Sequence, residues 1–139
     1  MKASRVLLDT NVLLDYVLDR GVASIHAERI FEKCVRGEIE CHIAAHTIVN
    51  MFYILRKVYS VSERKTILSS LSVLCYVEPV DDDMIQKALT GNHKDIEDHL
   101  QILCAEEIGA KCIITRDIRG FADSSVRILS PKAFLEQGI

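Results

Sequence analysis

At 139 residues, with 49% hydrophobic and 27% charged side chains, the chain has globular composition and room for one core rather than two. A formal net charge of −3 excludes a protein that grips nucleic acid mainly through a broad basic surface, but not an enzyme that meets phosphates through bound cations. No apolar run approaches the ~18 residues that a membrane span requires, and MKASRVLLDT has no small-residue cleavage pattern, so a soluble, cytoplasmic protein is expected.

RVLLD reads as a first strand ending on Asp9, and DTN then starts a helix near Val12, with Asp9 equally able to serve as its N-cap. Ala27, Ile30, Phe31, Cys34 and Val35 make the stripe of a further helix before the strand-like ECHIAA. Ile48, Phe52, Leu55 and Tyr59 form the next stripe. Ser60 and Glu63 have capping-box spacing ahead of a helix striped by Ile67, Leu68, Leu71 and Leu74. LCYVEPV is a third strand, KDIEDHLQILCAEEIGA a helix, KCIIT a fourth strand and VRILS a fifth. Ser130–Pro131 opens a last short helix that Gly138 closes. With no repeat, low-complexity tract or linker, residues 1–139 read as a single domain. Strands alternating with helices imply an α/β fold with a mostly parallel sheet covered on both faces, and ligands then bind at the carboxyl ends of the strands.

The five cysteines are widely spaced in apolar contexts, as reduced core thiols are. CHIAAH brings Cys41, His42 and His46 close in sequence, with the histidines at i, i+4, but CHIA also alternates like a strand and a fourth zinc ligand is lacking.

Chemistry is therefore sought among the acids. Asp9 ends the first strand and Asp117 the fourth, where KCIITRD repeats an apolar run, a hydroxyl residue and an acid. If those strands are neighbours, a spacing of about 4.8 Å lets both carboxylates project into one small volume, where a divalent cation relieves their repulsion. Ile96, Leu100, Leu103, Cys104 and Ile108 are the expected buried stripe of the DIED-bearing helix. Asp95 and Asp98 are neighbours on the adjoining face. Asp95 and Glu97 suit cap or dipole roles equally well, whereas Asp98 lies deeper. For Asp117 the plainer alternative is a turn acid, with Arg116 paired to it at the surface.

LLDTNVLLD, DIEDHLQILCAEEIGA and IITRDIRGF, in that order over nearly the whole chain, resemble the PIN-domain family of metal-dependent nucleases, which includes VapC-like toxins. The resemblance implies a three-layer α/β/α sandwich with a mostly parallel, about five-stranded sheet. It also implies an acidic cluster that binds Mg²⁺ or Mn²⁺ and hydrolyses phosphodiesters, mostly in RNA. Asp9, Asp98 and Asp117 match the metal-binding or metal-positioning acids, and Asp95 an accessory acid. HTIVNMFYIL departs from the common pattern by placing Asn50 where many relatives have Glu. The chain is similar to a subgroup with Asn there and a D-x-E-D arrangement, in which Asp95 or Glu97 would restore the charge.

The expectation is an Mg²⁺- or Mn²⁺-dependent endoribonuclease. Thr10, Asn11 and Thr115 are candidates to orient water, and Lys94, Arg116 and Arg119 to meet substrate phosphates; each also suits a cap, turn or solvated surface. A toxin would need an antitoxin. The consecutive apolar residues Met51, Phe52, Tyr53, Ile54 and Leu55 suit an antitoxin contact or a homodimer, or else a helix buried all round. Competing readings are a PIN-like domain that binds RNA or protein without cutting, and a phosphoacceptor receiver domain, which would use Lys132 after the last strand.

Overall fold

A computed structural model describes residues 3–138. Its five strands are β1 Ser4–Leu8, β2 Ile39–Ala44, β3 Tyr76–Glu78, β4 Cys112–Ile114 and β5 Ile128–Leu129, all parallel in the order β3-β2-β1-β4-β5. The helices are α1 Thr10–Val17, α2 Val22–Val35, α3 Ala45–Ile54, α4 Val61–Leu74, α5 Asp82–Thr90, α6 Ile96–Glu107 and α7 Pro131–Gln137. Successive side chains of a strand point to opposite faces, so one sheet feeds two cores. Val6, Leu8, Cys41, Ile43 and Ile114 pack with Leu13, Ile30, Met51, Leu71 and Phe134, while Leu7, Ala44 and Ile113 pack with Met84, Ala88, Leu100, Ile102 and Phe121. The result is the expected three-layer α/β/α sandwich. Its strand order is not the 2-1-3-4-5 of receiver-type folds, so the receiver reading loses its topology.

Because β1 and β4 are neighbours, with Leu8 paired to Ile114, their carboxyl ends open side by side at the middle of the sheet. Asp9 continues the ladder by donating its backbone N–H to Ile114 O at 3.0 Å. Asp117 lies further out than expected: β4 stops at Ile114, Thr115 is level with Asp9, and Asp117 is an exposed loop residue beyond it. Arg116 pairs with Asp15 in α1 instead of with Asp117.

Local signals fix several boundaries. Ser60 and Glu63 form both bonds of the capping box at α4. Ser60→Ala should cost about 1 kcal/mol, measured as a lower urea midpoint with an unchanged m-value. Ser130 caps α7, with Pro131 in its first turn and Gly138 at its end, at φ 68. Other expectations change. Helix α5 is not separated by the periodic stripes, because its apolar face is short, with Met84 and Ala88 buried and Ile85 packed beside them. Val35 is 70% exposed at the end of α2, and Ile96 is 45% exposed in the first turn of α6, where Gln101 and Ile102 are buried instead. Helix α3 is not buried all round: Met51 turns inward, while Val49 and Tyr53 are 72% and 61% exposed. Among the described residues no helix is long and apolar enough to cross a membrane.

Candidate active site

Four segments meet over the β1/β4 carboxyl ends: the start of α1, the first turn of α6, α3, and the loop after β4. Asp9 is 6% exposed and caps α1. Its Oδ1 accepts from Thr10 N at 2.7 Å and from Gln101 Nε2 at 2.8 Å, and its Oδ2 accepts from Thr115 Oγ1 at 2.7 Å. Asp9 thus fills the capping role expected of it with one oxygen and turns the other to Thr115 beside β4. Thr115 Oγ1 also accepts from Asp117 N at 2.9 Å, so one hydroxyl links the two segments that carry Asp9 and Asp117.

Asp95 caps α6 by accepting from Asp98 N at 3.0 Å. Asp98 is half-buried in the first turn. Burial, and then the carboxylates of Asp95, Asp9, Asp117 and Glu97, push its carboxyl up to about 7. Each of these four carboxylates therefore lies within electrostatic reach of Asp98. The approach of Asp98 and Asp117 is marked by Gly120, where a Cβ would stand 2.5 Å from Asp117 Oδ2 and 2.8 Å from Asp98 Oδ2. The two oxygens are therefore no further apart than the sum of those distances. Asp117 Oδ1 accepts from Gly120 N at 3.1 Å, which turns its other oxygen toward Asp98.

Around this pair is a cleft of about 510 Å³ lined by Lys94, Asp95, Asp98, Asp117, Arg119 and Asp123, among others, large enough for a phosphate and its flanking sugar as well as an ion. Lys94 and Arg119 are exposed on its lining. Arg116 is not offered to it: its Nε and Nη2 bind Asp15 at 2.6 and 3.0 Å. Asn11 serves the backbone and the Thr115 hydroxyl, accepting from Arg116 N at 3.3 Å and donating to Thr115 Oγ1 at 3.5 Å.

Asn50 donates to Glu97 Oε1 at 2.9 Å, and Thr10 Oγ1 donates to the same oxygen at 3.3 Å. The neutral amide on α3 thus has a carboxylate from α6 bonded directly to it. Glu97, rather than Asp95, stands beside Asn50. Two residues with no signal in the sequence also hold the site. Gln101 reaches Asp9 from α6, and His93 spans two loops, donating from Nε2 to Gly120 O at 2.9 Å and accepting at Nδ1 from Asp95 N at 3.0 Å.

Do these residues fit a cation? Among the described residues no group of three or more His, Cys, Asp or Glu forms a ready ligand cage. Cys41 is in one core, His42 lies between Glu78 and Glu40 at 2.7 and 3.1 Å, and His46 donates to Glu97 O at 3.3 Å, so CHIAAH does not gather as a zinc site. Asp98 and Asp117 do suit a hard ion held by few protein ligands. Mg²⁺ is commonly bound by one or two carboxylates together with water and substrate phosphate. The cradle at Gly120 and the reluctance of Asp98 to ionise are the local signs of that fit. Asp9 Oδ1 has two donors, but Oδ2 has one and keeps a lone pair.

The geometry defines an α/β/α domain with an acidic cleft at the carboxyl ends of its central strands. The PIN domain family profile matches residues 5–119, and the chain belongs to that family. It is 23% identical to Ribonuclease VapC1 of Aquifex aeolicus, over 99% of this chain and 97% of that protein. Among solved structures, a toxin–antitoxin complex from Klebsiella pneumoniae matches with TM-score 0.67 at 19% identity, over 91% of this chain and 97% of the other. VapC20 of Mycobacterium tuberculosis, described as a sarcin–ricin loop cleaving toxin, matches with TM-score 0.68 at 13% identity, over 85% and 94%.

Proposed function

We propose that the protein is an Mg²⁺- or Mn²⁺-dependent endoribonuclease of the VapC type, the toxin of a toxin–antitoxin pair acting in the cytoplasm. The observation that carries this reading is the pair of Asp98 and Asp117 oxygens facing each other across Gly120, with the Asp98 carboxyl raised by crowded anions. Asp98 and Asp117 would hold the ion, with Asp9 Oδ2 as a further ligand. Bound there, the ion supplies Lewis-acid polarisation of a phosphate oxygen and a water of lowered pKa.

The chain's own groups do the rest. Thr115 orients Asp9 and the Asp117 backbone together, the Asp95 cap fixes the first turn that presents Asp98, and Lys94 and Arg119 meet flanking phosphates at the cleft. Glu97 supplies the negative charge that Asn50 does not, and Asn50 aims it. That pairing favours cutting over mere binding, because the site is not left short of an acid. Asn50→Ala should lower the cleavage rate roughly tenfold, the equivalent of one ~1.5 kcal/mol hydrogen bond to a charged group. A steady-state assay on a fluorogenic RNA measures it, and an unchanged rate would reduce Asn50 to a spectator.

The ribonuclease name of the Aquifex relative supports the substrate, and the sarcin–ricin loop cleaving toxin and toxin–antitoxin descriptions of the structural relatives support the toxin role and the partner. The exposed apolar Val49, Tyr53 and Ile54 on α3 suit an antitoxin segment, with a homodimer the other outcome of a size measurement. Incubation of purified protein with single-stranded RNA and Mn²⁺ tests the activity. Cleavage that EDTA stops is expected, and intact RNA across all divalent ions would end the proposal.

A further inference from the structure

Gln101 lies on α6 beside the buried Leu100, Ile102, Cys104 and Ala105, and is itself 0% exposed. An aliphatic side chain would suit that place better, since a carboxamide brings several hydrogen-bonding positions into a core. Those positions are only partly used. Nε2 donates to Asp9 Oδ1 at 2.8 Å, while Oε1, also buried, has no partner among the described residues. Buried polar atoms are nearly always paired, so a wholly buried amide kept with one end unpaired calls for an explanation outside packing.

Helix geometry supplies one. Asp98 and Gln101 are three residues apart and so share a face of α6: the first turn delivers a carboxylate to the cleft, and the next delivers an amide to Asp9 beneath it. The other donors to Asp9 are the N–H of its own helix start and the Thr115 hydroxyl beside β4. Gln101 alone ties Asp9 to the helix that carries Asp98. Its bond also decides which oxygen of Asp9 is left with the fewer donors. With Thr10 N and Gln101 Nε2 both on Oδ1, that atom is saturated, and the remaining lone pair is on Oδ2.

We propose that Gln101 is a positioning residue for the cation of the cleavage reaction, locking Asp9 so that Oδ2 is its coordinating atom; this role rests on the metal-dependent reading of the site. Groups that hold a ligand from behind typically contribute about 10–100-fold to metal affinity or activity.

The test is Gln101→Met, which keeps the length of the side chain and removes the donor. Expected are a cooperative melt showing that the variant folds, Mn²⁺ affinity about 10–100-fold weaker by the electron paramagnetic resonance signal of free Mn²⁺, and a lower kcat with the KM for RNA unchanged. Native Mn²⁺ affinity and kcat in Gln101→Met would overturn the proposal. Should that variant fail to fold, the side-chain amide resonance of Gln101 in the native protein decides: it should shift on titration with Mg²⁺, and a fixed resonance at saturation overturns the role. Native protein that neither binds Mn²⁺ nor cuts RNA would instead remove the proposed function itself, a result distinct from an active native protein matched by its variant.

Discussion

Asp98→Asn should lower Mn²⁺-dependent RNA cleavage about a thousandfold, equivalent to roughly 4 kcal/mol of transition-state stabilisation, and should melt above the native protein in the absence of metal. Both effects have one cause. Asp98 is pressed by burial and by the carboxylates of Asp95, Asp9, Asp117 and Glu97, which weakens the metal-free fold and, on the proposed function, would strengthen the hold on a cation. The carboxyl is half-exposed, so solvent screens much of that repulsion, and a gain of about 1 kcal/mol, or roughly 3–5 °C, is the reasonable scale.

The same shift sets a pH dependence. In the folded chain Asp98 keeps its proton up to about 7, whereas its ordinary value is 3.8, so the native state binds the proton more tightly. The stability it contributes is full below the ordinary value and is lost as pH rises through about 7. Metal-free native protein should therefore lose melting temperature between pH 5 and pH 8 more steeply than Asp98→Asn. Calorimetry at several pH values checks this, and equal slopes for the two proteins would mean that the carboxyl is not under strain. Added Mn²⁺ should raise the native melting temperature and leave that of Asp98→Asn nearly unmoved, since only a ligand that binds the folded state stabilises it.

What the sequence made legible divides along the range of the interactions. Strand runs such as VLL and CII are apolar because both faces of a parallel sheet are covered, so their positions could be read directly. Ser60 with Glu63, and Ser130 before Pro131, bond within a few residues and leave fixed spacings. Asp9 and Asp98 are visible in the sequence because each is an acid set at the edge of an apolar run. The partners that orient them left no such trace. Gln101 looks like an ordinary surface position of an amphipathic helix, yet its amide reaches a residue 92 positions away in the sequence. Glu97 likewise meets Asn50 across 47 positions. Pairings of that kind follow neither helical nor strand period, and only the folded chain brings them into contact.

Asp15 is the sharpest instance and carries the largest stability prediction. In LLDYVLD it resembles the solvated position of a short helix, but it is 0% exposed. Arg116 binds both of its oxygens, and Arg20 Nη1 approaches Oδ1 at 3.2 Å. Removing one partner of a buried pair leaves an uncompensated charge and typically costs 3–5 kcal/mol. Arg116 is itself partly exposed and Arg20 remains, so Arg116→Met should cost about 2–3 kcal/mol, read as a fall of roughly 6–15 °C in melting temperature. Asp15→Leu should cost less than Arg116→Met, because the arginines it releases can return to water, whereas the buried carboxylate cannot. The double variant should then be more stable than Arg116→Met alone, a non-additivity that a double-mutant cycle in urea measures directly. Additive effects would show that the two side chains act separately. Because Arg116 precedes Asp117 in the chain, the same cycle run on Mn²⁺ affinity should also be non-additive: an ion pair that holds the loop in place holds the carboxylate that the loop presents.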